Sequence, residues 1–248
     1  MAIERPYFRT ARQLADGSMR SGGNGLYVKD TRFARSPKYY LRSYLLLQKD
    51  LLELFDYIEP AERNLPTFSA RIHALLIRAC IEVEANLRAI LTENGYLKNR
   101  RLTMADYRKI DASHRLSGFR VILPTWQGAG DARAPFEAWA NQGSLPWYQR
   151  YNDAKHNRQD AFSNATFQDM LDAVCGCLVV LSAQFHLEDF ETVSYLVTEN
   201  GPGDGTEIAI GDYFRVAFPD WPVEDRYSIL WEDLQRQEAP FSKYPYPE

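Results

Sequence analysis

IHALLIRACIEVEANLRAIL, residues 72–91, decides how the rest of this chain is read. Ile72, Leu75, Leu76, Ala79, Val83, Leu87 and Ile90 recur at three-and-four spacing, the period of a helix that buries one face. The pattern predicts a helix from Thr67 to Asn94, with Asn94-Gly95 as its stop. On it, Arg78 with Glu82 and Glu84 with Arg88 are spaced as i,i+4 ion pairs, a solvated arrangement worth roughly 0.2–0.5 kcal/mol each.

Two further stretches carry the same period. Pro37 opens a helix through YYLRSYLLLQKDLLELFDYI, with a stripe of Leu41, Leu45, Leu52 and Phe55 widened by Tyr44, Leu47 and Leu51. From Asn164 to about His186, Phe167, Met170, Leu171, Val174, Leu178, Leu181 and Phe185 predict another core helix. Between them, LTMADYRKI reads as a short helix capped by Thr103, and GFRVIL as a strand or buried extended segment. WQGAGDARAPFEAWANQGSLPW reads as a loop anchored by three tryptophans. Beyond residue 190 the character changes. VSYLVTENGPGDGTEIAIGDYFRVAF has two alternating runs about a Gly-rich turn and predicts a hairpin, and FPDWPVEDRYSILWEDLQ adds a short helix. The expected fold is mainly α: a basic N-terminal arm over 1–36, with a short strand at GLYVKD, then an antiparallel helical bundle over 37–189. An acidic C-terminal extension with a β-hairpin and a short helix follows over 190–248.

The 248 residues are 45% hydrophobic, enough for one large core. No uninterrupted apolar run of about 18 residues exists, and the start lacks the apolar segment of a secretory signal, so no membrane partner and a cytoplasmic location are expected. Cys80, Cys175 and Cys177 sit in apolar helical patterns and read as small buried hydrophobes. The four histidines show no zinc-site spacing, so no metal and no cofactor are expected. GPGDG looks like a turn rather than a phosphate loop. The net charge of −4 is uneven: residues 1–42 hold nine basic and three acidic residues, and residues 187–248 hold fourteen acidic and four basic ones. The basic segment can meet a phosphate backbone or lie on the acidic C-terminal part, and the second is the simpler reading.

SLPWYQRYNDAKHNRQDAF, residues 144–162, does not fit a plain core helix. With Trp147 at 0° and about 100° per residue, Tyr151, Ala154 and Ala161 fall within about 40° of it and Phe162 at about 60°. Asn152, His156 and Asp160 fall at about 140°, 180° and 220°, on the opposite face. A histidine pointing away from its own core does not fill space. Arg158, at about 20°, lies in the apolar stripe and needs a carboxylate, for which Glu82 or Glu84 is the expected partner. Arg150 lies at the stripe's edge.

Arg150-Tyr151-Asn152-Asp153-Ala154-Lys155-His156 resembles the loose Arg-to-His motif of the HEPN superfamily. LPWYQRYNDAKHNR, IHALLIRACIEVEANLRAIL and TMADYRKI together resemble uncharacterised bacterial HEPN-like proteins, over roughly residues 37–190. The resemblance implies a metal-independent endoribonuclease of toxin–antitoxin, antiviral or RNA-processing systems, with a composite site where two copies of the motif meet in a homodimer. His156 would move protons, Arg150 would hold the scissile phosphate, and Asn152 would orient the ring or bind phosphate. Lys155 and Arg158 would bind RNA. Tyr151 stands directly after Arg150, where many active members have a polar residue, so Arg158 is the alternative motif arginine. The implied partners are a second copy, RNA, and a cognate antitoxin or defence protein. The alternative is a non-catalytic HEPN-like module for dimerisation or for nucleotide or RNA binding.

Overall fold

The computed structural model describes residues 3–156, 162–188, 190 and 205–247. Its helices are α1 (Pro37–Phe55), α2 (Ala70–Glu93), α3 (Met104–Arg108), α4 (Asp111–His114), α5 (Pro146–His156), α6 (Phe167–Phe185) and α7 (Trp231–Leu234). Among the described residues the strands are β1 (Arg120–Ile122), β2 (Ala132–Arg133), β3 (Glu207–Ile208) and β4 (Arg215–Ala217). The fold is mainly α, with one small antiparallel sheet in the order β2-β1-β4-β3.

Helix α2 forms as the periodicity predicts. The Ser69 hydroxyl accepts from the Ile72 N–H at 3.2 Å, and all seven residues of the predicted stripe are buried. Gly95, at φ 86°, ends it in the left-handed region. Helix α6 starts on a Thr166/Asp169 capping box and is buried nearly all round. It has the length and mean hydropathy, 1.2, of a membrane span, yet 83% of that window is buried inside this fold. It is the axis on which α1, α2 and α5 pack.

Contacts along α2 set the helix directions. Phe167 and Gln168 donate to the carbonyls of Thr67 and Leu65 at 2.7 and 3.0 Å. Gln184 Nε2 donates to Asn86 Oδ1 at 3.0 Å near the other end, so α6 runs with α2. Asp50 meets Arg78 and Glu53 meets Arg71, so α1 runs against α2. Tyr148 lies by Glu84, and Phe162, just beyond α5, lies by His73; α5 therefore also runs against α2.

Helix α1 buries a different line of residues from the one its leucines suggest. Leu41, Tyr44, Leu47, Gln48, Leu51 and Leu54 are buried, while Leu45, Leu52 and Phe55 are partly exposed. A glutamine turns the face: Gln48 accepts from the Tyr44 hydroxyl at 3.0 Å and donates to the Gly211 carbonyl at 2.6 Å. Its amide is satisfied inside, which a hydrophobicity pattern cannot anticipate.

The sheet joins distant parts of the chain. GFRVIL forms β1, whose Val121 opposes Val216 of β4. Strands β3 and β4 make a hairpin that turns at Gly211 (φ 85°) and Asp212 (φ 60°); residues 201–204 of GPGDG lie outside the described residues. The first alternating run, 193–198, lies outside the described residues. GLYVKD is not a strand; it belongs to a 3-10 segment, Ser21–Lys29, with Gly22 and Gly23 at φ 53° and 81°.

Residues 3–36, read as a basic arm, are threaded into the fold. Ile3 and Leu14 bridge to Tyr227, and Tyr7 bridges to Ser242. Arg9 and Arg12 are 0% and 1% exposed. Arg9 forms an ion pair with Glu93 at 2.8 Å and donates to Gln184 Oε1 at 2.7 Å and to the Arg35 carbonyl at 2.6 Å. The Arg12 guanidinium lies 4.4 Å from the Trp221 ring centroid and donates to the carbonyls of Asp225 and Ser113. Both arginines are therefore structural.

Candidate active site

Helix α5 is held by its aromatic side. Trp147 Nε1 donates to the Pro135 carbonyl at 2.8 Å, and its ring packs edge-on against Phe136. The indole lies over Gly176 of α6, where an added Cβ would meet the ring at 3.4 Å, an ordinary van der Waals contact. Tyr148 is buried and its hydroxyl donates to Glu84. Burial, and then the Glu84 charge, push the Tyr151 hydroxyl up to about 12. With Ala154 buried as well, one side of α5 is fixed to α2 and α6.

The other side carries the residues singled out in the sequence. His156, the last residue of α5, is exposed, as are Arg150 and Lys155, while Asn152 is half-buried. The helical spacing thus places histidine and asparagine away from the aromatic stripe. Arg150 meets Asp153 at 3.4 Å, with about half of each side chain exposed, 48% and 54%. The Lys155 ammonium lies 5.5 Å from the Tyr151 ring centroid. Arg158, Asp160 and Ala161 lie outside the described residues. Phe162, which follows, is packed by Phe68 and His73 at 6.0 and 5.6 Å between ring centroids.

The acids of α2 are engaged otherwise than the spacing suggests. Arg78 pairs with Asp50 of α1 instead of Glu82. Glu84 takes the Tyr148 hydroxyl and lies 3.9 Å from Arg101, not beside Arg88. An aromatic hydroxyl at the edge of a stripe, needing an acceptor, was the available signal for Glu84.

The three cysteines are free and buried, as small hydrophobes are, and burial raises each thiol. Among the described residues, no group of three or more His, Cys, Asp and Glu side chains is gathered to hold a metal. The fold and the exposed face define a mainly-α protein that presents a histidine, an arginine and a lysine from one rigidly seated helix. No known family, curated protein or solved structure matches the chain.

Proposed function

We propose that the chain is a metal-independent endoribonuclease of HEPN type, with α1, α2, α5 and α6 as its bundle and a composite site at a homodimer interface. The observation that carries the reading is the division of α5: its aromatic side is locked to the core and its polar side leaves His156 in solvent. A neutral imidazole takes the proton of a ribose 2′-hydroxyl as the 2′-oxygen attacks phosphorus. The 5′-oxygen leaves with a proton from a second donor, yielding a 2′,3′-cyclic phosphate and a 5′-hydroxyl. One chain brings one such histidine on α5; two copies bring the pair that the base and acid roles require. Arg150 stabilises the phosphorane charge. Its half-exposed pair with Asp153 is of a kind worth only about 0–1 kcal/mol, so RNA can displace it. Asn152 and Lys155 position the phosphate beside it, with Arg158 the alternative to Arg150. The setting is a cytoplasmic toxin, defence or RNA-processing system with a cognate protein partner.

The test is incubation of purified protein with end-labelled structured and unstructured RNAs in EDTA, with light scattering for mass. Cleavage by a dimer, lost in His156→Ala and leaving cyclic phosphate ends, is the expected result. Cleavage that survives His156→Ala refutes the assignment. A folded dimer that binds RNA or nucleotide without cutting any substrate makes the same face a non-catalytic module.

A further inference from the structure

We propose that a second site, a cationic cavity between the N-terminal segment, α1, the C-terminal half of α2 and the stretch around Lys243, binds a nucleoside 5′-phosphate. The cavity holds about 630 Å³, inside the roughly 300–1,000 Å³ range of small-molecule sites. Four cations line it: Arg32, Arg35, Arg88 and Lys243; Glu93 is the one acid. Some of that charge is already balanced. Arg32 is held by Asp30 at 2.8 Å. Glu93 is paired with Arg9 at 2.8 Å and accepts from the Arg35 backbone N–H at 3.1 Å.

The side chains of Arg35, Arg88 and Lys243 have no acid within ion-pair distance among the described residues. Three uncompensated like charges around one concavity repel each other and concentrate positive potential there. The first turn of α1, entered at Ser36 on the cavity wall, has neither an acidic residue nor a side-chain cap, and its dipole adds the same sign. Recognition by two arginines and a lysine suits phosphate oxygens.

Charge alone does not describe the cavity, because Phe8, Tyr40 and Leu97 share its wall. They add aromatic and apolar surface beside the cations, which a bare phosphate leaves unused and a nucleobase can cover. The site is separate from the α5 face. Glu84 lies by Tyr148, and His156 follows Tyr148 toward the N-terminal half of α2, while the cavity draws on Ala85 to Glu93. At about 1.5 Å per residue the two are on the order of 20 Å apart along α2.

Titration calorimetry on the full chain tests this with AMP, ATP, adenosine and a 5′-phosphorylated hexaribonucleotide. The last is run on His156→Ala protein to prevent cleavage. AMP and ATP are expected to bind, with affinity falling as salt rises, and adenosine to bind at least tenfold more weakly. Arg88→Glu and Lys243→Glu, at exposed and unpaired positions, are each expected to weaken AMP at least tenfold with an unchanged circular-dichroism spectrum. His156→Ala should bind AMP as the parent does. Binding of the oligonucleotide that Arg88→Glu weakens assigns the phosphate to an RNA end, and its failure, or indifference to Arg88→Glu, beside AMP binding assigns the cavity to a free nucleotide. No heat with AMP or ATP on folded parent protein overturns the proposal. So does adenosine binding as tightly as AMP, or indifference to both charge reversals.

Discussion

Arg9→Ala tests whether the N-terminal segment is part of the core. The guanidinium is fully buried, and its ring neighbours are Tyr40 and Phe185, at 4.8 and 5.9 Å from the centroids. Truncation leaves the Glu93 carboxylate with the Arg35 N–H but without its ion-pair partner, and Gln184 Oε1 without its 2.7 Å donor. Removing one partner of a buried ion pair costs about 3–5 kcal/mol. With a urea dependence of ~3 kcal/mol/M for a protein of this size, the midpoint should fall by roughly 1–2 M. Urea titration followed by tryptophan fluorescence and far-UV circular dichroism reads this directly. Arg71→Ala is the control: its pair with Glu53 is 68% and 48% exposed and should cost less than about 1 kcal/mol. Arg9→Lys keeps the charge, loses the fork and should fall between the two. If Arg9→Ala shifts the midpoint no more than Arg71→Ala, the buried network does not hold the segment and the reasoning fails.

Three further outcomes follow from the same geometry. Burial, with help from the Arg12 and Arg9 charges, pushes His114 down to about 3, its Nε2 meeting the Arg9 carbonyl at 2.8 Å. Between pH 6.5 and about 3 the unfolded chain binds a proton that the folded one refuses, so stability is lost as pH falls through that window. The slope is up to ~1.4 kcal/mol per pH unit, and His114→Gln should flatten the pH dependence of the urea midpoint. Gly211→Ala forces a side chain into φ 85°, with its Cβ 2.6 Å from Gln48 Oε1. A loss of about 1–2 kcal/mol is expected, read as a lower thermal midpoint. Tyr148→Phe leaves the largely buried Glu84 without its hydroxyl donor. It should cost about 1.5–3 kcal/mol in the same assay, and no change would mean that the pair contributes nothing.

Long periodic segments were legible because burial on one helical face leaves a repeat that no other structure produces. All seven residues of the predicted α2 stripe are buried, and Thr103 caps a helix as read; the Thr166 capping box that starts α6 two residues after the expected Asn164 was not read. The exposure of His156 was legible for the same reason, since a wheel needs only the helix to exist. What escaped the sequence is polar and long-range. Gln48 in the α1 core, the Glu84 contact to Tyr148 and the choice of Gly211 for the hairpin turn each depend on a partner remote in the chain. The cavity cations had no motif to announce them. Arg35, Arg88 and Lys243 come from three separate stretches and are gathered only by folding.

The uneven charge along the chain bears on which cations can meet nucleic acid. Taken alone, a basic N-terminal segment and an acidic C-terminal one suggest either an arm for phosphate or two segments in mutual contact. The contacts favour the second, though mostly through carbonyls rather than carboxylates. Arg5 donates to the Ala239 carbonyl at 2.8 Å, and Arg32 to those of Gln237 and Gln235 at 2.7 and 2.8 Å. Arg12 reaches the Asp225 carbonyl, and Lys29 pairs with Glu188 at 2.9 Å. Backbone acceptors fix position but neutralise nothing, so the local potential is set by whichever cations keep their charge uncompensated. At the cavity only one of those, Arg35, belongs to the basic segment. Arg88 lies in the middle of the chain and Lys243 in its acidic part, and they join Arg35 at one concavity. The α5 face adds Arg150 and Lys155 at another place. On the proposed readings, affinity for nucleic acid or nucleotide in a chain of net charge −4 rests on two small, separate clusters, and a single charge reversal in either should be felt by its own ligand and not by the other's.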